Sequence, residues 1–202
     1  MSNRTREKLI EVARHLFIRK GIENTTMVDI ANASEKGRRT IYTYFKSKRA
    51  IYEAVIERES QRIIERLEAV TRQDLPPLQK LHQFIVARFE ILKIATASPI
   101  HSEGIRAIFT KDNKRYDRII ANTYREERAM LNRLMRECLD DPSVDRRQVV
   151  RLRVVIPLLQ TGVDISFIRD NYKELGVDEA SFPNVVATFI INGLLKKDKA
   201  IQ

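Results

Sequence analysis

Residues 25–48 read TTMVDIANASEKGRRTIYTYFKSK, and the fold turns on how this stretch is divided. Thr26-Met-Val-Asp29 has the capping-box form of a helix start, and Ile30, Ala31 and Ala33 supply small apolar contacts behind it. Ser34-Glu35-Lys36-Gly37 interrupts that helix, and a further one of about two turns fits residues 38–44. Lys46-Ser47 makes a second break, with Ser47 placed to cap the next helix. Upstream, Leu9, Val12, Ala13, Leu16 and Phe17 keep helical spacing, which predicts a helix over 4–20 ended by Gly21. Downstream, Ile51, Val55, Ile63, Ile64 and Leu67 predict one long helix to about residue 71. Two short helices joined by a tight turn, the second of them basic, form a helix-turn-helix arrangement.

Pro76-Pro77 sets this module apart from the remainder. Leu78, Leu81, Phe84, Ile85, Phe89 and Leu92 mark a helix to about residue 97, stopped near Ser98-Pro99. A shorter helical piece is expected at 102–109, then a helix from about 112 to 138 ended by Asp140-Asp141-Pro142. Residues 145–172 carry another apolar stripe, which Pro157 should kink by removing a backbone donor. The last helix is SFPNVVATFIINGLLKK, with Ser181 as its cap and Pro183 in its first turn. No repeat or strand pattern appears. The expected fold is all-α: a three-helix DNA-binding module at 1–49, joined by a long helix to a larger helical domain at 50–202.

Charge separates the same two parts. Residues 1–50 hold 12 Lys and Arg against 5 Asp and Glu, whereas residues 51–202 hold 25 against 22. A basic excess gathered on one small module is the footprint of a polyanion partner, because each neutralised phosphate releases condensed counterions. No apolar run is long enough for a membrane span, and the first residues are charged throughout, so a cytoplasmic protein is expected. The single cysteine, Cys138, sits on an apolar helix and reads as a small core residue. His15, His82 and His101 are scattered, and no phosphate loop, nucleophile elbow or metal-binding spacing occurs. Neither an enzyme nor a cofactor or metal site is expected.

The segment resembles the DNA-binding region of the TetR family of bacterial transcriptional regulators, whose pattern runs roughly TTxxxIAxxAGVSxGTLYxYFxSK. Thr25-Thr26, Ile30-Ala31, Thr40, Tyr42, Tyr44-Phe45 and Ser47-Lys48 fall in register without insertion. The likeness covers about residues 5–55. Where the family has Gly-Val-Ser in the turn, this chain has Glu35-Lys36-Gly37, so the capping serine is missing and Gly37 takes the N-cap. Glu35 is expected to face away from DNA or to pair with Arg38 or Arg39.

The resemblance implies roles for individual residues. Thr26 and the start of its helix suit a phosphate anchor. Arg38 and Arg39 open the recognition helix, one suited to a guanine edge and the other to phosphate. Thr40, Tyr42 and Lys48 match backbone-contacting family positions, Thr43 suits a base or thymine-methyl contact, and Lys36 and Lys46 suit less specific phosphate contacts. Ile41 and Phe45 read as core, and Tyr44 fits either side. For the body the resemblance implies a cavity for a small-molecule effector, with Phe84, Arg88, Phe89, Phe109, Tyr116 and Tyr124 as candidates. Arg88 hints at an acidic ligand, and a surface ion pair accounts for it equally well. It also implies a homodimer built on the last two long helices through Val154, Leu158, Gly162, Ile165, Val185, Val186, Phe189, Ile190, Gly193 and Leu194; burial within one chain is the competing reading.

The expectation is a ligand-responsive repressor that binds a near-palindromic double-stranded operator as a homodimer. An activator fits the motif as well. The rivals are a non-specific architectural DNA binder and, remotely, an α-helical enzyme with a basic head.

Overall fold

The computed structural model describes residues 3–97, 100 and 114–196, with the side chains of 96, 114–117, 157–161, 165 and 168 outside the description. The expected helix at 102–109 lies outside the described residues. Those that are described form an all-α protein: α1 Asn3–Lys20, α2 Met27–Ala33, α3 Arg38–Tyr44, α4 Lys48–Thr71, α5 Pro77–Ala97, α6 Lys114–Glu137, α7 Arg146–Ile168, α8 Asn171–Glu174 and α9 Phe182–Leu194. A 3-10 turn, Cys138–Asp140, follows α6. None of the described helices is long and apolar enough to cross a membrane.

The chain makes two compact units, one of Met1–Ile63 with Ile94–Thr123, the other of Ile64–Lys93 with Tyr124–Gln202. In the first, the apolar faces of α1 to α4 close on one core in which Leu9, Ala13, Phe17, Ile30, Ile41, Ile51, Val55 and Ile56 are sealed from solvent. Local signals set its helix ends. Gly21 turns the chain after α1 at φ 81, a region that side-chain-bearing residues disfavour. The Thr25 hydroxyl, fully buried, donates to Gly21 O at 2.7 Å and closes that turn. Ser47 caps α4 by accepting from the Ala50 N–H at 3.1 Å. Across the faces of α1 and α4, Arg62 donates to Glu11 and Glu59 at 2.6 Å each, and Arg14 donates to Glu59 at 2.8 Å. Burial alone would raise the Glu11 carboxyl, but Arg62 and Arg14 hold it below its ordinary value.

In the second unit Phe89, Phe167, Tyr172 and Phe182 form an aromatic cluster, with ring centroids 4.9 to 5.8 Å apart in five contacts. The end of α9 is pinned where Asp145 N donates to Leu194 O and Lys196 N to Ser143 O, both at 2.8 Å. The α7 helix stays helical through position 157. One expectation needs correction. Ser181 stands at the N-cap of α9 without capping it: its own backbone is already helical, at φ −80 and ψ −30, and its hydroxyl donates to Asp178 Oδ2 at 2.7 Å.

Candidate nucleic-acid interface and internal cavity

The turn between α2 and α3 decides whether a recognition helix is presented. Thr26 and Asp29 complete a capping box: the Thr26 N–H and hydroxyl both donate to Asp29 Oδ2 at 2.8 Å, and the Asp29 N–H donates to Thr26 Oγ1 at 3.1 Å. Those bonds hold the Asp29 carboxyl below its usual range. They also take up both donors of Thr26, leaving it to act on an anion only through the helix start it organises. After the fully buried Ser34, Glu35 adopts φ 56 in the left-handed region. A carboxylate residue thus takes the left-handed conformation at the position where the resembled pattern has glycine. Glu35 turns to Lys8, whose ammonium lies 3.3 Å away, so of the two expected arrangements it does not take the pairing with Arg38 or Arg39. Gly37 opens α3 in extended backbone with no side-chain cap.

On α3, Ile41 is fully buried and the C-cap Phe45 nearly so, which fixes the helix by one face. Tyr44 is half-buried against the same core. The opposite face carries Arg38, Arg39, Tyr42 and Thr43, all exposed, with Lys46 beyond it. The Arg38 guanidinium lies 5.9 Å over the Tyr42 ring, and the Thr43 hydroxyl donates back to Arg39 O at 3.0 Å. Among the described residues none of Lys36, Arg38, Arg39 and Lys46 has an ion-pair partner, whereas Arg6, Lys8, Arg14, Lys20, Arg49, Arg58 and Arg62 of the same unit all face carboxylates. Four cations without a carboxylate partner thus lie in or beside α3, with Arg4 and Arg19 of α1 in the same condition. Thr40 is half-buried. Lys48 is placed differently from the others, donating to Ile22 O at 2.8 Å and Glu23 O at 3.2 Å and so tying the first turn to the start of α4. No sequence signal marks that bond, because the carbonyls lie some two dozen residues upstream.

The second unit contains a cavity of about 260 Å³. Phe84, Ile85, Arg88 and Phe89 of α5 line it, with Glu127 and Leu131 of α6, Ile156 and Val163 of α7, and Val185, Val186, Phe189 and Ile190 of α9. Arg88 is held rigidly: Nη1 and Nη2 donate to the two carboxylate oxygens of Asp164 at 2.5 Å each, and Nε lies 3.1 Å from Glu127 Oε1 without hydrogen-bond alignment. Asp164 and Glu127 are both buried, so this is an interior cluster and the surface ion pair weighed from the sequence is ruled out. Burial alone would lower the Arg88 pKa, yet Glu127 and Asp164 raise it above its ordinary value. Tyr124 stands behind the cavity wall and donates to Asp164 Oδ2 at 3.2 Å, its hydroxyl pKa raised by burial and by that carboxylate. Of the other candidates, Phe109 and the side chain of Tyr116 lie outside the described residues. Asp164 was missed from sequence, although an aspartate within the apolar run VVIPLLQTGVDISFI is a signal that a buried cation must meet it.

On the candidate dimer surface, Val154, Val185 and Phe189 are exposed, at 68%, 52% and 70% of their full area, and Gly162 borders open space. Val186 and Ile190 are half-buried. Leu194 is sealed inside its own chain and presents nothing to a partner, which corrects its assignment. Gly193 approaches Leu152 of the same chain, where an added Cβ would come within 3.2 Å of a leucine methyl. The side chains of Leu158 and Ile165 lie outside the described residues.

Residues 9–55 match the model of the bacterial regulatory proteins of the tetR family. This N-terminal segment is thus of the TetR family's DNA-binding type. Among curated proteins, this chain is 32% identical over 112 residues to the HTH-type transcriptional repressor BepR of Brucella suis biovar 1, covering 55% of this chain and 50% of that one. It is 28% identical over 88 residues to the repressor KstR2 of Mycolicibacterium smegmatis, covering 44% and 43%. The matches therefore span half or less of those relatives' own length. Among solved structures, a TetR/AcrR-family regulator from Thermobifida fusca superposes with a TM-score of 0.71 at 21% identity, covering 95% of this chain and 98% of that one. FadR of Bacillus subtilis, solved in complex with stearoyl-CoA, gives 0.59 at 18% identity over 93% and 98%. The SmeT–triclosan complex gives 0.67 at 16% identity over 99% and 95%. At these identities the likeness is one of fold.

Proposed function

We propose that this chain is a sequence-specific transcriptional repressor of the TetR family that binds a near-palindromic operator as a homodimer and is released from it by a small molecule. The observation that carries the reading is the α3 face, where exposed cations without carboxylate partners sit on a helix bolted to the core by Ile41 and Phe45. A short helix with one buried face and one cationic face suits the major groove. In this reading Arg38, Arg39 and Thr43 face base edges, while Lys36, Thr40, Tyr42, Tyr44 and Lys46 meet the phosphate backbone. Lys48 serves the backbone through the turn it braces and through its charge, and Thr26 through the helix start it caps. The working division is residues 1–49 for DNA and 50–202 for effector and partner, in a cytoplasmic protein that acts by binding and not by catalysis. The naming of BepR and KstR2 as repressors supports that class.

The exposed apolar residues Val154, Val185 and Phe189 support a homodimer, since surface valines and a phenylalanine on two adjacent helices favour a covering partner. Effector release needs only that the small molecule bind the DNA-incompetent state more tightly. The test is binding of captured genomic fragments against shuffled DNA at fixed salt. A strong preference for particular fragments is expected, whereas a ratio near unity would leave an architectural DNA binder. Sedimentation should give a dimer, and a monomer at every concentration would remove the two-fold operator.

A further inference from the structure

Resting on the effector reading above, we propose that the molecule taken by the cavity is uncharged and predominantly apolar, and that carboxylate-headed molecules are rejected, because the one cation on the described cavity wall is already bound by two buried carboxylates. Apart from Arg88 and Glu127, the described lining is aliphatic and aromatic, so the wall rewards apolar surface. An organic acid would gain most from the Arg88 guanidinium, whose fork fits a carboxylate in bidentate fashion. That fork is taken: both Asp164 oxygens lie 2.5 Å from Nη1 and Nη2, and Glu127 stands 3.1 Å from Nε. An incoming carboxylate would have to displace Asp164, which has 3% of its side chain exposed and no water to retreat to. It would also enter beside Glu127, a like charge. An uncharged molecule disturbs none of these contacts. Asp164 and Glu127 thereby act as a charge filter that sets effector class through Arg88.

The experiment uses the full-length protein and the matched pair octanol and octanoate, with binding read by calorimetry and operator release read separately by fluorescence anisotropy. Octanol is expected to bind at least about tenfold more tightly than octanoate, in keeping with the cost of breaking a buried pair. Val163→Phe, which fills the cavity, should abolish octanol binding. Asp164→Asn should narrow or reverse the preference by freeing the guanidinium fork, and Glu127→Gln serves in its place should that variant not fold. Octanoate binding as tightly as octanol, no binding of either, or octanol binding that survives Val163→Phe would each overturn the proposal. Octanol that binds without loosening the operator would uphold this cavity chemistry and sink the effector reading instead.

Discussion

Arg38 on α3 and Arg88 on α5 carry the same guanidinium into opposite surroundings. Arg38 is exposed beside Arg39, without a carboxylate, its only described partner being the Tyr42 ring. Arg88 lies inside the second unit with two carboxylates against it. An exposed cation costs little to keep, since water solvates it, and it stays available to phosphate. A buried cation must be compensated within the fold, and the compensation that makes it tolerable also withdraws it from ligands. The pairing of Arg88 is thus spent on structure, while the unpaired charge of Arg38 stays open to a partner.

Two substitutions test that contrast directly. Arg88→Ala leaves Asp164 and Glu127 facing each other without a cation, and urea unfolding should show a loss of about 3–5 kcal/mol. A loss below about 1 kcal/mol would mean that water reaches the cluster. Arg38→Ala should leave stability within about 0.5 kcal/mol. Operator affinity should instead fall by about 1–3 kcal/mol, with altered base preference if Arg38 reads a base. A uniform loss on all sequences would reassign it to phosphate.

The same contrast explains what was legible in the sequence. The head could be read closely because its determinants are local: the Thr26–Asp29 box, the break at Gly37 and the Ser47 cap each act within four residues, and they place α2, α3 and α4 without knowledge of the rest. Ile41 and Phe45 were legible as core because they lie four apart on one face. Arg88 and Asp164 are each visible as an odd charge in an apolar stripe, but no local pattern pairs them across 76 residues. The carbonyl partners of Lys48 were hidden for the same reason, lying across the fold. Ser181 failed as a cap because its backbone is already helical, at φ −80 and ψ −30, where an N-cap is ordinarily extended.

Smaller effects sharpen the picture of the turn that presents α3. Glu35 is held at φ 56, where a Cβ crowds the backbone, and its pairing with Lys8 is exposed and worth little. Glu35→Gly should therefore stabilise the protein by about 1–2 kcal/mol in urea unfolding, and no gain would show that the strain is relieved locally. A weaker effect is expected in acid. Because Glu11 has its folded pKa below the ordinary 4.5, its contribution is fully present above that pH and is lost as pH falls through the lower value. Arg62→Met removes the main cause of that lowering, so acid unfolding should begin at a higher pH than in the parent chain. An unchanged acid midpoint would mean that Arg14 and His15 suffice to maintain the Glu11 charge.

The smallest effect concerns the residue that opens the recognition helix. Gly37 precedes α3 at φ −60 and ψ 148, an extended conformation open to any residue, and an added Cβ would meet only Thr40 Oγ1 at 3.9 Å. Serine would fit there and offer its hydroxyl to an N–H of the first turn, a bond that the helix now lacks. Gly37→Ser should then gain only a few tenths of a kcal/mol, because glycine is itself an acceptable N-cap. If the two turn substitutions are combined, their gains should add only in part, since residues 35 and 37 share one short connection. Operator affinity gives the more telling readout. Should Gly37→Ser stabilise the fold and weaken DNA binding together, the bare glycine would be serving close approach of the backbone to the duplex, a purpose that the helix alone does not require.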